Sequence, residues 1–131
     1  VTEGRRRNVV LVVDDEPPLR SLMRQALEDE GCTVFEAANG AEALRLLRHE
    51  LARPPDLILL DIGMPVMDGR AFADVYRREA GQRAPVVVMT AAHDAARAAA
   101  EVGADSYVAK PFVLDTFLDV VAHFTGGGSR S

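Results

Sequence analysis

Two unbroken apolar runs in this 131-residue chain each close on acidic residues. Leu57-Ile58-Leu59-Leu60 leads straight into Asp61, and Val9-Val10-Leu11-Val12-Val13 leads into Asp14-Asp15-Glu16. A carboxylate in such a place can cap a turn, ligate a hard cation or attack an electrophile. Asp61 alone reads more readily as a turn or cap residue than as a reactive one. Two further polar groups end apolar stretches in the same way. Thr90 follows Val86-Val87-Val88-Met89, and Lys110 follows Ser106-Tyr107-Val108-Ala109. A hydroxyl and an ammonium placed beside three carboxylates would suit chemistry on an anionic group.

The elements that must position these residues are legible from period and punctuation. Apolar runs without alternation are strands covered on both faces, as in a parallel sheet. They are expected over 8–13, 32–37, 57–61, 85–90 and 106–109. Gly63, Pro65 and Gly69 mark an irregular loop after Asp61. Pro17 and Pro18 suit the first turn of a helix in which Leu19, Leu22, Met23, Ala26 and Leu27 repeat at helical spacing, with Gly31 as its stop. Asn39-Gly40 reads as a turn. A second helix places Ala43, Leu44, Leu47 and Leu51 on one face and ends at Arg53-Pro54-Pro55. Phe72, Val75 and Tyr76 mark a third helix over about 69–79. An alanine-rich fourth over 94–102 stops at Gly103, with Ala95, Ala98, Ala99 and Val102 as its inner face. A fifth covers 113–124. Its stripe Leu114, Leu118 and Val121 suits the sheet, and Val113, Phe117, Val120 and Phe124 widen the apolar arc enough for a partner or a neighbouring helix.

Strand and helix thus alternate five times, which implies an α/β fold with right-handed crossovers and helices on both faces of a parallel sheet. Such chains commonly take the strand order 2-1-3-4-5, with a crevice between strands one and three. That order brings Asp14, Asp15 and Asp61 to one crevice at the carboxyl edge of the sheet. Like charges at that range oppose one another's ionisation. Compensation is expected from Lys110 and from a hard divalent ion bound through oxygen, for which magnesium is the natural candidate.

The bulk numbers bound the rest. With 48% hydrophobic and 27% charged residues, the chain has material for one globular domain. A net charge of −5 argues against direct nucleic-acid binding. No apolar run approaches the ~20 residues that span a bilayer, and a secretory pattern is absent from the N-terminal residues. Cys32 is the one cysteine, so no internal disulfide can form, and a reducing, cytoplasmic location is expected. Residues 1–7, with Arg5-Arg6-Arg7, read as a solvated tail, and 125–131 as a flexible tail or the start of a linker. His49, His93 and His123 show no metal-ligand spacing.

Over residues 8–124 the chain resembles the receiver domains of two-component response regulators. The resemblance rests on Val12-Val13-Asp14-Asp15-Glu16, on Asp61-Ile62-Gly63-Met64-Pro65-Val66-Met67-Asp68-Gly69, on Thr90-Ala91 and on Lys110-Pro111-Phe112. It implies a flavodoxin-like (βα)5 three-layer sandwich and a phosphoacceptor function. Asp61 is then the nucleophile that takes a phosphoryl group from a sensor histidine kinase or a histidine phosphotransfer protein. Asp15 is a direct magnesium ligand, Asp14 acts mostly through water, and the Gly63 carbonyl completes the protein ligands. Lys110 stabilises charge in the transfer, and Thr90 hydrogen-bonds the phosphoryl group. Tyr107 pairs with Thr90 as the switch aromatic. Pro65, Gly69 and Pro111 set loop geometry, the last through a cis bond. Gly63 and Ala92 flank the path of the hydrolytic water, and both are small. The family further implies a regulatory phosphoprotein that catalyses its own transfer and dephosphorylation rather than a metabolic enzyme. It also implies dimer or effector contact through the fourth helix, fifth strand and fifth helix.

Other functions fit less well. A binding module that has lost phosphorylation would not need the full set Asp14, Asp15, Asp61, Thr90 and Lys110. A flavin carrier wants a hydroxyl- or glycine-rich loop where this chain has Asp-Asp-Glu-Pro-Pro. An aspartyl-phosphate hydrolase wants a second acid where it has Ile62-Gly63.

Overall fold

Adjacent residues along the strands feed two different cores, which is why the runs show no polar alternation. The structure is a computed structural model that describes residues 7–64, 67–79 and 84–126. Its strands are β1 (Val9–Val13), β2 (Thr33–Ala37), β3 (Leu57–Asp61), β4 (Val86–Ala91) and β5 (Ser106–Lys110). They form one parallel sheet in the order β2-β1-β3-β4-β5. The helices are α1 (Pro17–Asp29), α2 (Gly40–His49), α3 (Gly69–Glu79), α4 (Ala95–Val102) and α5 (Leu114–Thr125). On one face Leu11, Val13, Ile58, Leu60 and Val88 pack with α2, α3 and α4. On the other Val10, Val12, Leu57, Leu59, Val87 and Met89 pack with α1 and α5. The result is the expected flavodoxin-like three-layer sandwich.

Element ends differ from the sequence reading by a residue or two, and α2 by more. Asn39 is the N-cap of α2 rather than a free turn. Its side chain accepts from the Glu42 N–H at 2.9 Å, and the Glu42 carboxylate accepts from Ala38 N–H at 2.6 Å. The first bond satisfies a donor that the helix start leaves open, and the second ties the residue before the cap to the first turn. The helix ends at His49, leaving Leu51 beyond it, and Leu46 is buried where Leu47 is half-buried.

Two apolar expectations are corrected. Leu22 is 48% exposed, because Met23, Ala26 and Leu27 already fill the strip of α1 facing the sheet. Leu114 is 38% exposed, since α5 turns Phe117, Leu118 and Val121 inward instead. Phe117 is fully buried and stacks on Phe112 with ring centroids 5.1 Å apart. Part of the extra apolar width of α5 is therefore core. The fourth helix buries Ala95, Ala98, Ala99 and Val102, the face read from its spacing. It stops at Gly103, whose φ of 67° is costly for any residue with a Cβ.

Candidate functional site

The carboxyl edge of the sheet gathers the polar residues. Register pairs Val13 with Leu60, so Asp14 and Asp61 leave neighbouring strands side by side. Carboxylate oxygens of Asp14, Asp15 and Asp61 lie within 4.8 Å of one another. Lys110, at the end of β5, spans the gap from the far side. Its Nζ is 3.1 Å from Asp14 Oδ2, 3.4 Å from Asp61 Oδ1 and 3.4 Å from Glu16 Oε1. The Lys110–Pro111 bond that follows is cis, as the resemblance implied. Thr90 stands on β4 one residue past Met89, the register partner of Asp61, and is half-buried.

Asp14 is wholly buried and its polar groups are satisfied by protein. Its N–H donates to Ala37 O at 3.0 Å, and its Oδ1 accepts from Glu16 N–H at 2.9 Å. Asp61 is 7% exposed and less well served. Burial, with Asp14 and Asp15 beside it, outweighs the attraction of Lys110 and pushes its carboxyl up to about 6. Burial works against the Lys110 charge, but the bond to Asp14 and the charges of Asp61, Asp14 and Glu16 prevail, so its pKa is raised. Three acids thus share one close ammonium, and the cluster is short of positive charge. Its donors are all hard oxygens. Both facts fit a divalent cation of the magnesium type.

The loop after β3 is anchored by close backbone approach. Gly69 N–H donates to Ile62 O at 2.9 Å, and a Cβ at Gly69 would stand 2.6 Å from the carbonyl oxygen of Asp61 itself. The loop also meets α2, where Gly40 N–H donates to Met67 O at 2.9 Å. Asp68 accepts from Ala71 N–H at 2.9 Å and starts α3. Gly63 is exposed, and a Cβ there would meet nothing within 4 Å. Pro65 lies outside the described residues. Tyr107 is on β5 with 44% of its surface exposed. Sequence reasoning missed Glu16 as a Lys110 partner, Gly40 as the dock for Met67, and Arg20. The Arg20 Nη1 donates to the backbone oxygen of Asp14 at 2.7 Å. A charge on a helix face carries no signal of such a task.

Fold and site together define a doubly wound domain whose acids and lysine meet at the strand-order switch point, where the acid cluster fits a cation. The chain matches the response regulator receiver domain family model over residues 10–122, and it belongs to that family. It is 42% identical over 113 residues to the transcriptional regulatory protein KdpE of Mycobacterium tuberculosis, covering 84% of this chain and 47% of that one. It is 33% identical over 114 residues to the chemotaxis protein CheY of Halobacterium salinarum, covering 86% and 92%. The chain spans about half the length of the transcriptional regulators it matches. Among solved structures, the chemotaxis response regulator CheY4 of Vibrio cholerae superposes with a TM-score of 0.80 at 30% identity, covering 91% of this chain and 99% of that one. The receiver domain of a sensor histidine kinase from Pseudomonas aeruginosa, with a magnesium ion coordinated in its active-site cleft, gives 0.79 at 27% identity, covering 92% and 99%.

Proposed function

We propose that Asp61 is the phosphoacceptor of this receiver domain. A carboxylate oxygen of Asp61 attacks the phosphorus of a phosphohistidine on a sensor histidine kinase or a histidine phosphotransfer protein. The phosphorus–nitrogen bond breaks, the electron pair stays on the imidazole, and an aspartyl phosphate forms on Asp61. Asp14, Asp15, Asp61 and the Gly63 carbonyl would hold magnesium, which supplies neutralisation of charge on the phosphoryl oxygens. Lys110 is already within reach of Asp61 and can follow the charge onto the phosphoryl group. Thr90 donates its hydroxyl to the same group, and Tyr107 responds by turning toward the space Thr90 leaves. The phosphorylated arrangement then outcompetes the resting one as a population shift. The surface formed by α4, β5 and α5 passes the change to a second copy or an effector.

The domain spans 8–124, works in the cytoplasm, and removes its own phosphoryl group slowly by hydrolysis. The contact of Lys110 with both Asp14 and Asp61 carries this reading, because it puts cation, nucleophile and metal-type ligands in one place. Incubation with acetyl phosphate and magnesium, followed by intact mass, tests it. The expected result is one added phosphoryl group on the native chain and none on Asp61→Asn. Equal labelling of that variant refutes the assignment.

A further inference from the structure

The acidic loop of the site is held from behind by a side chain that touches none of the reacting groups. Arg20 stands on α1 and is largely buried. Its Nη1 donates to the Asp14 carbonyl at 2.7 Å, and its Nε donates to Glu36 Oε1 at 2.9 Å on β2. Arg24, one turn further along α1, pairs with the other oxygen of Glu36. The carbonyl that Arg20 holds belongs to the peptide joining Asp14 to Asp15. Rotation of that peptide would swing Asp15 relative to Asp14 and Asp61.

We infer that Arg20 is a positioning residue for the cation site, fixing the Asp14–Asp15 peptide against β2 so that the two carboxylates converge with Asp61. Three observations support it. The Asp14 carbonyl is turned toward α1, where Arg20 accepts the task of a ladder donor. The guanidinium fork holds two acceptors in a fixed planar geometry, which a freely rotating ammonium on a flexible stem does not impose. Glu36 is also paired with Arg24 through its other oxygen, so both of its oxygens are engaged by α1. Arg20 thus does for the acid pair what an outer partner does for a metal ligand, setting its direction without contacting the ion.

The inference rests on the magnesium reading given under Proposed function, and the test separates the two. The metal-free full chain is titrated with magnesium chloride by calorimetry, with thermal melts in chelator as the control for folding. Arg20→Met is expected to weaken magnesium binding by about tenfold, the low end for an outer partner, with Arg20→Lys falling between it and the native chain. Arg24→Met removes the other partner of Glu36 and leaves the Arg20 bond to the Asp14 carbonyl in place, and is expected to weaken magnesium binding far less than Arg20→Met does. Native affinity in Arg20→Met, or an equal loss in Arg24→Met, overturns the inference while leaving the metal site standing. If Arg20→Met does not fold, Arg20→Lys decides in the same way. A native chain that binds no magnesium overturns the metal reading itself.

Discussion

Replacing Asp61 with Asn should make the metal-free protein more stable at neutral pH while abolishing phosphorylation. The Asp61 carboxyl sits at about 6 in the folded chain against 3.8 when free, because it is buried and faces Asp14 and Asp15. Disfavouring the ionised form to that extent costs the native state about 3 kcal/mol at neutral pH. The sign follows from linkage. The folded pKa is raised, so the native state binds the proton more tightly than the unfolded chain, and stability falls as pH rises from about 4 to about 6. An amide has no such charge. That penalty is already net of the attraction of Lys110, which stays paired with Asp14 and Glu16 in the variant, so a gain of up to about 3 kcal/mol is expected at neutral pH.

Thermal melts in chelator across that pH range measure this directly. For a chain of this size the gain corresponds to roughly 10 °C in melting temperature at pH values above about 7. Comparing native and variant at each pH cancels the titration of every other group. The difference should shrink toward zero as pH drops to about 4. A variant that is no more stable than the native chain at neutral pH, or a difference that does not change with pH, refutes the account of Asp61 as an under-compensated buried acid.

Gly69→Ala should destabilise the fold by about 1–3 kcal/mol in denaturant titration, because its Cβ would stand 2.6 Å from the Asp61 carbonyl oxygen. The same change should slow phosphorylation by acetyl phosphate, since what must move is the backbone of the nucleophile. Asp15→Ala should weaken magnesium binding and phosphorylation together, and Asp14→Ala should do so less; magnesium titration of the two variants in the reverse order shows that direct and water-mediated roles are swapped. Hydrogen exchange should find α4 less protected than α1 and changed by a phosphoryl mimic such as beryllofluoride. Its buried face is three alanines and one valine, which at ~25 cal/mol per Å² bind it weakly, with the exposed Arg70–Glu101 pair to α3 adding little.

The fold was readable because the two-sided burial of a parallel sheet erases polar alternation, and Leu57 to Leu60 show that erasure without a break. The acids were readable for a related reason. A charge that ends such a run has no place in the core, so Asp14, Asp61 and Lys110 had to emerge at one edge. What the sequence concealed lies in choices between neighbours on one helix. Leu22 and Met23 look alike in spacing, and so do Leu114 and Phe117, yet sheet geometry buries Met23 and Phe117 and leaves the leucines exposed. Arg20 and Arg24 are likewise similar on a helical wheel. Their difference comes from the one carbonyl at the end of β1 that Arg20 alone reaches.

The two buried acids of the site are compensated to different degrees. Asp14 is the more deeply buried, at 0% exposure. It is met at both side-chain oxygens, by Glu16 N–H at 2.9 Å and by Lys110 at 3.1 Å, and its carbonyl is held by Arg20. Asp61 meets Lys110 at 3.4 Å, longer than an ordinary hydrogen bond, and two acids face it. Its compensation is therefore the part of the charge balance that the protein leaves incomplete. Adding a cation relieves that imbalance. Under the function proposed above, a phosphoryl group on Asp61 would add an anion that the cation and Lys110 together neutralise. The acid that the fold compensates least is the one at which an outside cation gains most, and under the proposed function that asymmetry between Asp14 and Asp61 is what would separate a residue that holds the site from the one that reacts in it.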